Sequence, residues 1–195
     1  MPGSNPLTGE PLALDLVNTR PAGPGGRTDL IDTPGRLAAW LALEAERLPA
    51  EFRGVAPGPE DLPPLHRVRE HVEAVVRALL GGAAPPAAAL HGLSEAQRAA
   101  PATREVGWDG AAVTAEPRRV GPLGVRLAAL LAEAAVDLLT APAVGRIREC
   151  EADGCVMLFL PSHPRRRWCS PSRCGNRARV ARYYQRHRPT AGGGE

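Results

Sequence analysis

The chain has 195 residues, a formal net charge of +3 and four cysteines, and every basic residue is an arginine. That length suits one ordinary domain with a small satellite. No apolar stretch is long enough to cross a bilayer, and the opening MPGSNPLTGEP lacks the basic start and apolar run of a secretory signal, so a cytoplasmic protein without a membrane partner is expected.

The first apolar segment, Pro11 to Thr19, alternates Leu12, Leu14 and Leu16 as a short strand would, while Leu12, Leu16 and Thr19 also fit a helical stripe; both readings stay open. After a Gly/Pro loop, Thr33 and Pro34 supply an N-cap and first-turn pair for a helix that places Leu37, Trp40, Leu41 and Leu48 on or near one face. From Leu65 the apolar positions recur at three- and four-residue intervals through Leu79, predicting a second amphipathic helix that ends near Gly81 and Gly82. A shorter helical piece spans Pro86 to Ala99, with Gly92 as a candidate break.

Val106 and Trp108 before Asp109-Gly110, and Val113 and Ala115 after it, predict a tight type I′ β-hairpin packed into the main core. Leu123, Leu127, Leu130, Leu131, Ala134 and Leu138 then mark the most strongly periodic helix, stopped before Pro142. These elements make a body over residues 10–145, and the chain closes with a disordered tail over 189–195 that ends in TAGGGE.

All four cysteines fall between Cys150 and Cys174, as C-x4-C, thirteen residues, then C-x4-C. Disulfides are rarely stable in a cytosolic protein, and two converging pairs supply the four thiolates of a tetrahedral Zn²⁺ site, so Cys150, Cys155, Cys169 and Cys174 are candidate ligands. Paired disulfides and an iron–sulfur cluster are the competing accounts. His163 and His187 lie nearby, but four cysteines already complete a tetrahedral shell. VMLFL and RRRWC, joined by a PSHP turn, are expected to pair as a hairpin. Asn176 is expected to cap a helix over RARVARYYQRHR, giving a treble-clef-like finger over 146–188.

Charge follows the same division. From Gly145 onward there are 11 Arg against 4 acidic residues, and before it 13 Arg against 17. A basic end on an acidic body suits a polyanionic partner; a solvated charged face, or a basic helix docked on the acidic body, is the plainer account. Arg165, Arg166 and Arg167 on the expected hairpin, with Arg177, Arg179, Arg182, Arg186 and Arg188 on and beside the helix, are the candidate nucleic-acid contacts.

Cys169, Cys174, Gly175, Asn176 and Arg177 reproduce the motif of the CGNR zinc finger, which this segment resembles. GEPLALDLVNTR and TPGRLAAWLALE make the body similar to the ABATE domain, which precedes that finger in bacterial proteins described as stress-induced transcription regulators. The resemblance implies duplex DNA as the partner, a role inferred for the family from its positive charge. Pro161 departs from the polar turn expected there and shortens the hairpin.

The expected fold is therefore α+β: a mainly helical N-terminal domain with a small β-hairpin, followed by a treble-clef-like zinc finger of hairpin plus C-terminal helix. No nucleophile elbow, phosphate loop or dinucleotide fingerprint occurs, and Asp15, Asn18, His66, His71 and His91 form no catalytic pattern, so an enzyme is not expected. Asp15 and Asn18 are candidates for sensing a small-molecule effector in the body. A protein-interaction module, in which zinc only holds the tail together, is the alternative to a DNA-binding regulator.

Overall fold

The computed structural model describes residues 6–23 and 25–187. Arg188 and the TAGGGE tail lie outside the described residues, and so does the side chain of Arg186.

Pro11 to Thr19 resolves as helix α1 (Leu12–Val17), a single turn and a half with Ala13, Leu14, Asp15, Leu16 and Val17 all buried. Burial on every side explains why neither period dominates its sequence. A two-residue ribbon, β1 (Ala22–Gly23) with β2 (Gly26–Arg27), interrupts the following Gly/Pro loop. Helix α2 (Pro34–Leu43) starts as expected, the Thr33 hydroxyl accepting the Arg36 N–H at 3.3 Å.

Helix α3 (Leu62–Leu80) begins three residues earlier than the apolar spacing alone suggests and buries Leu65, Val68, Val72, Val75 and Val76. Its Arg69 is buried and donates to Thr19 Oγ1 at 2.9 Å and Asp29 Oδ1 at 2.8 Å, fastening the loop before α2 to the helix. Helix α4 (Ala87–Ala99) runs through Gly92 without a break. The glycine serves packing there: a Cβ would stand 2.2 Å from His71 Nε2 on α3. Helix α5 (Leu123–Thr140) is centred in the body, packing on α3, α4 and α1. Asp61 joins the starts of α3 and α5, its carboxylate accepting the Gly58 N–H at 2.8 Å and the Gly124 N–H at 2.6 Å.

Strands β3 (Thr103–Trp108) and β4 (Val113–Arg118) pair with Val106 opposite Ala115 and Trp108 opposite Val113. Two expectations are corrected here. The turn centres on Gly110-Ala111, because Asp109 instead accepts the Ala111 and Ala112 N–H groups, each at 2.9 Å, and thereby closes the ladder one residue further on. The hairpin also lies outside the core, with every β3 residue exposed.

The C-terminal unit departs most from expectation. Strand β6 (Leu158–Phe159) pairs antiparallel with β5 (Arg148–Glu149), which precedes the first cysteine pair, and not with RRRWC. The latter segment contributes one backbone bond, Glu151 N–H to the Arg167 carbonyl at 3.1 Å. Successive strand side chains face opposite ways. Leu158 accordingly joins the main core, whereas Phe159 joins a second cluster of Cys150, Ala152, Met157, Cys169 and Cys174. The result is an α+β fold in which two cores share one short strand.

Candidate metal centre and nucleic-acid interface

Cys150 and Cys155 occupy the connection between β5 and β6. The ladder ends in a bond from Cys150 N–H to the Met157 carbonyl at 2.9 Å, and the Cys155 N–H donates to Ala152 at 2.9 Å, while Gly154 takes the positive φ of 65° that this tight turn requires. Cys169 and Cys174 come from the opposite side. Pro171–Gly175 forms a wide helical turn, closed by a bond from Gly175 N–H to the Ser170 carbonyl at 3.0 Å, and it carries Cys174 inward. Helix α6 (Asn176–Arg186) continues directly from it.

The four sulfurs lie within 4.8 Å of one another, with Cys169 and Cys174 at 3.6 Å and Cys174 and Cys155 at 3.7 Å. Four sulfurs at about 2.3 Å from one tetrahedral ion stand about 3.8 Å apart, so this set fits a metal. All four cysteines are free thiols, with these contacts far beyond the roughly 2.05 Å of a disulfide bond.

Crowding makes the thiols differ. A hydrogen bond from Cys169 lowers Cys155 to about 5, the same shared proton drives Cys169 far above the ordinary thiol range, and burial pushes Cys174 up to about 11. Four adjacent sulfurs cannot all ionise without a cation among them, which is the role a metal fills when it displaces their protons. Two further donors favour thiolate: the Cys169 N–H at 3.3 Å from Cys150 Sγ, and Arg177 Nη2 at 3.7 Å from Cys174 Sγ.

The expected nucleic-acid residues do not behave alike. Arg165 and Arg179 are exposed and line one groove of about 300 Å³ with Trp168 and His163. Arg182 extends over the Trp168 ring at 5.7 Å, and Arg179 Nη1 donates to Asn176 Oδ1 at 2.9 Å. Asn176 is already helical and is not the cap; Ser170 caps the preceding turn instead, accepting the Arg173 N–H at 3.4 Å. Arg177 is turned back onto the finger, donating to the Asp153 carbonyl at 3.0 Å. Arg167 pairs with Glu151 at 2.5 Å.

Arg166 is committed inward, donating to Glu10 Oε1 at 2.5 Å and to the Trp168 and Cys169 carbonyls while stacking over Phe159 at 4.5 Å. Exposed Arg173, one residue before Cys174, belongs with the outward-facing set. Its place inside the C-x4-C spacing was the available signal. Helix α6 packs on the turn before it, and Ala181, Tyr183 and Tyr184 are exposed.

The family model of the ABATE domain, described as "Putative stress-induced transcription regulator", matches residues 10–142. The chain belongs to the ABATE family. A model of the CGNR zinc finger matches residues 146–187, and no curated protein matches the chain.

Within the ABATE domain, the two residues expected to sense an effector form a joint to the finger. Asp15 accepts the N–H groups of Gly9 and Glu10 at 2.9 and 3.1 Å and the Arg47 guanidinium at 2.6 Å. This fixes Glu10, whose Oε2 accepts the Leu160 N–H at 2.9 Å and whose Oε1 takes Arg166. Asn18 bonds to Leu158 of β6. Neither side chain lines the groove of about 420 Å³ between α3, α4 and α5, where Arg67, His71 and Glu95 stand around Val68, Ala96, Val125 and Ala128. His66 lies elsewhere on α3, 3.0 Å from the Ile31 carbonyl, and His91 is exposed on α4. No helix among the described residues is long and apolar enough to cross a membrane.

Proposed function

We propose that the protein is a zinc-dependent, DNA-binding transcription regulator whose finger meets duplex phosphates. All-thiolate ligation by four residues leaves no open coordination position, which suits a structural Zn²⁺. The observation that carries the reading is α6: it packs on the turn that precedes it, contains no acidic residue, and continues directly from the turn that holds Cys174. Arg165 and Arg179 flank Trp168 on the groove beside it. Phosphate contacts of this kind release counterions, so binding falls steeply with salt. The effector role moves from Asp15 and Asn18 to the groove between α3, α4 and α5, whose polar rim and apolar floor suit a small amphiphilic ligand.

The test is titration of zinc-loaded protein against duplex DNA at two salt concentrations, beside the Arg165→Ala/Arg179→Ala variant. The double variant should bind all sequences more weakly and lose about two from the salt slope. Equal affinity and slope, in a variant that keeps its metal, would transfer the finger to a protein-interaction role.

A further inference from the structure

The β3–β4 hairpin is poorly covered for its composition. One face carries Val106, Trp108, Val113 and Ala115, and the first three are 69%, 66% and 71% exposed. An isolated two-stranded hairpin is marginal in water, and further strands with a shared apolar face are what normally stabilise one. Its base, by contrast, is firmly set: buried Arg119 donates to the Ala100 carbonyl at 2.5 Å and pairs with Glu133 of α5. The hairpin thus projects from the body in a fixed direction.

Its two edges are not equivalent. Asp109 N–H bonds to the Ala112 carbonyl at 3.3 Å, so pairs at every second step from there, Gly107 with Thr114 and Glu105 with Glu116, face their backbone groups inward. Arg104, Val106 and Trp108 consequently turn their N–H and C=O groups out from β3. On β4 the outward position opposite Arg104 is Pro117, which has no N–H to offer. Only the β3 edge is open along its length.

We propose that the outer edge of β3 pairs antiparallel with the same edge of a second copy of this chain, on a two-fold axis through Val106, forming a four-stranded sheet. Charge and the length of β3 select that register, because an axis through the end residues Thr103 or Trp108 would set most of the strand opposite residues outside it. An axis through Arg104 or Glu105 sets like charges directly opposite, and one through Gly107 sets Glu105 opposite Asp109. The axis through Val106 sets valine against valine and places each Arg104 opposite the partner's Trp108, a cation–π geometry. A two-fold keeps the same face outward in both copies, so the Val106, Trp108, Val113 and Ala115 faces merge into one apolar surface. Pairing also closes the exposed edge. The strands carry two Arg and two Glu, with Arg118 and Glu105 already paired at 3.1 Å, and the turn adds Asp109, so the hairpin offers no net positive charge to attract nucleic acid.

Sedimentation equilibrium of the full, zinc-loaded chain tests this. The wild type should be a dimer at micromolar concentration. Val106→Pro, which removes an outward N–H, and Val106→Arg, which opposes two positive charges, should each raise the dimer dissociation constant at least tenfold with unchanged circular dichroism. A Val106→Cys variant exposed to oxidised glutathione should cross-link through the introduced thiols of the two copies, whose Cα atoms stand about 5.5 Å apart in this register. Glu105→Cys should not cross-link comparably. A monomeric wild type at hundreds of micromolar, a dimer that survives both substitutions, or preferential cross-linking at position 105 would each overturn the proposal.

Discussion

Asn18 and Leu158, 140 residues apart, are joined by a matched pair of hydrogen bonds: the Leu158 N–H donates to Asn18 Oδ1 at 2.9 Å, and Asn18 Nδ2 donates to the Leu158 carbonyl at 2.8 Å. The side-chain amide acts as a third strand on β6, at the strand whose two side chains enter different cores. Replacing Asn18 by Ala leaves a buried donor and a buried acceptor without partners. The expected loss is about 2–4 kcal/mol of unfolding free energy, read by urea denaturation. Asn18→Asp should also destabilise, because a carboxylate accepts from the N–H but faces the Leu158 carbonyl without a proton to give. Wild-type stability in both variants would mean that the joint does not hold the units together.

The same joint shows what the sequence made legible. Ligand chemistry is written locally, so the cysteine quartet could be read from its spacing, as could α2, α3 and α5 from their periodic apolar faces. The partner of β6 could not, because a two-residue strand has no pattern from which to choose between an upstream and a downstream neighbour. Asp15 and Asn18 stood out as polar residues in an apolar run. Their contacts reach Glu10, Arg47 and Leu158, relationships that only the folded chain supplies. Arg166 is likewise indistinguishable from Arg165 and Arg167 until Glu10 and Phe159 are in place.

Asp15 carries a pH signature. Burial drives its carboxyl up to about 7 against the hydrogen bond from Arg47, and the neighbouring Glu44 charge adds to the rise; burial raises Glu44 as well. A carboxyl whose folded pKa exceeds its unfolded value near 3.8 holds protons more tightly when folded. Its stabilising contribution is complete below about pH 4 and is lost as pH rises through about 7. Asp29 and Glu73 run the other way, since hydrogen bonds from Arg69 and from Arg77 and Arg27 overcome burial and hold both below their ordinary values. Comparing wild type with Asp15→Asn isolates the first effect. The stability difference should shift in favour of the variant between pH 4 and pH 7, and a constant difference across that window would show that Asp15 stays ionised throughout.

Removing the metal should divide the C-terminal unit. Phe159, Met157 and the cysteines form a small second core that the proposed Zn²⁺ would organise, whereas Leu158 belongs to the main core and is bonded to Asn18. After chelation, amide exchange should accelerate over 150–155 and 169–186 while the Leu158 amide remains slow and the body helices persist. Exchange unchanged across the cysteine segments in protein verified as metal-free would show that the thiols are organised by packing alone.

Arg165 and Arg166 are neighbours with opposite commitments, and their substitution separates binding from stability. Arg165 is exposed on the groove it shares with Arg179, so Arg165→Ala should leave the melting temperature within a degree or two and lower the salt slope of DNA binding by about one. Arg166 fastens the finger to Glu10, to the Trp168 and Cys169 carbonyls and to the Phe159 ring. Arg166→Ala should cost about 2–3 kcal/mol of stability, since charge-assisted bonds are lost and Glu10 keeps a half-satisfied carboxylate. Its salt slope should match the wild type once the metal-loaded, folded fraction is allowed for. Arg166→Lys keeps the charge but not the planar fork that reaches three oxygens, and should recover only a fraction of that stability. A salt slope that drops for Arg166→Ala and not for Arg165→Ala would reverse the assignment, turning the inward arginine outward on DNA at the expense of its bond to Glu10.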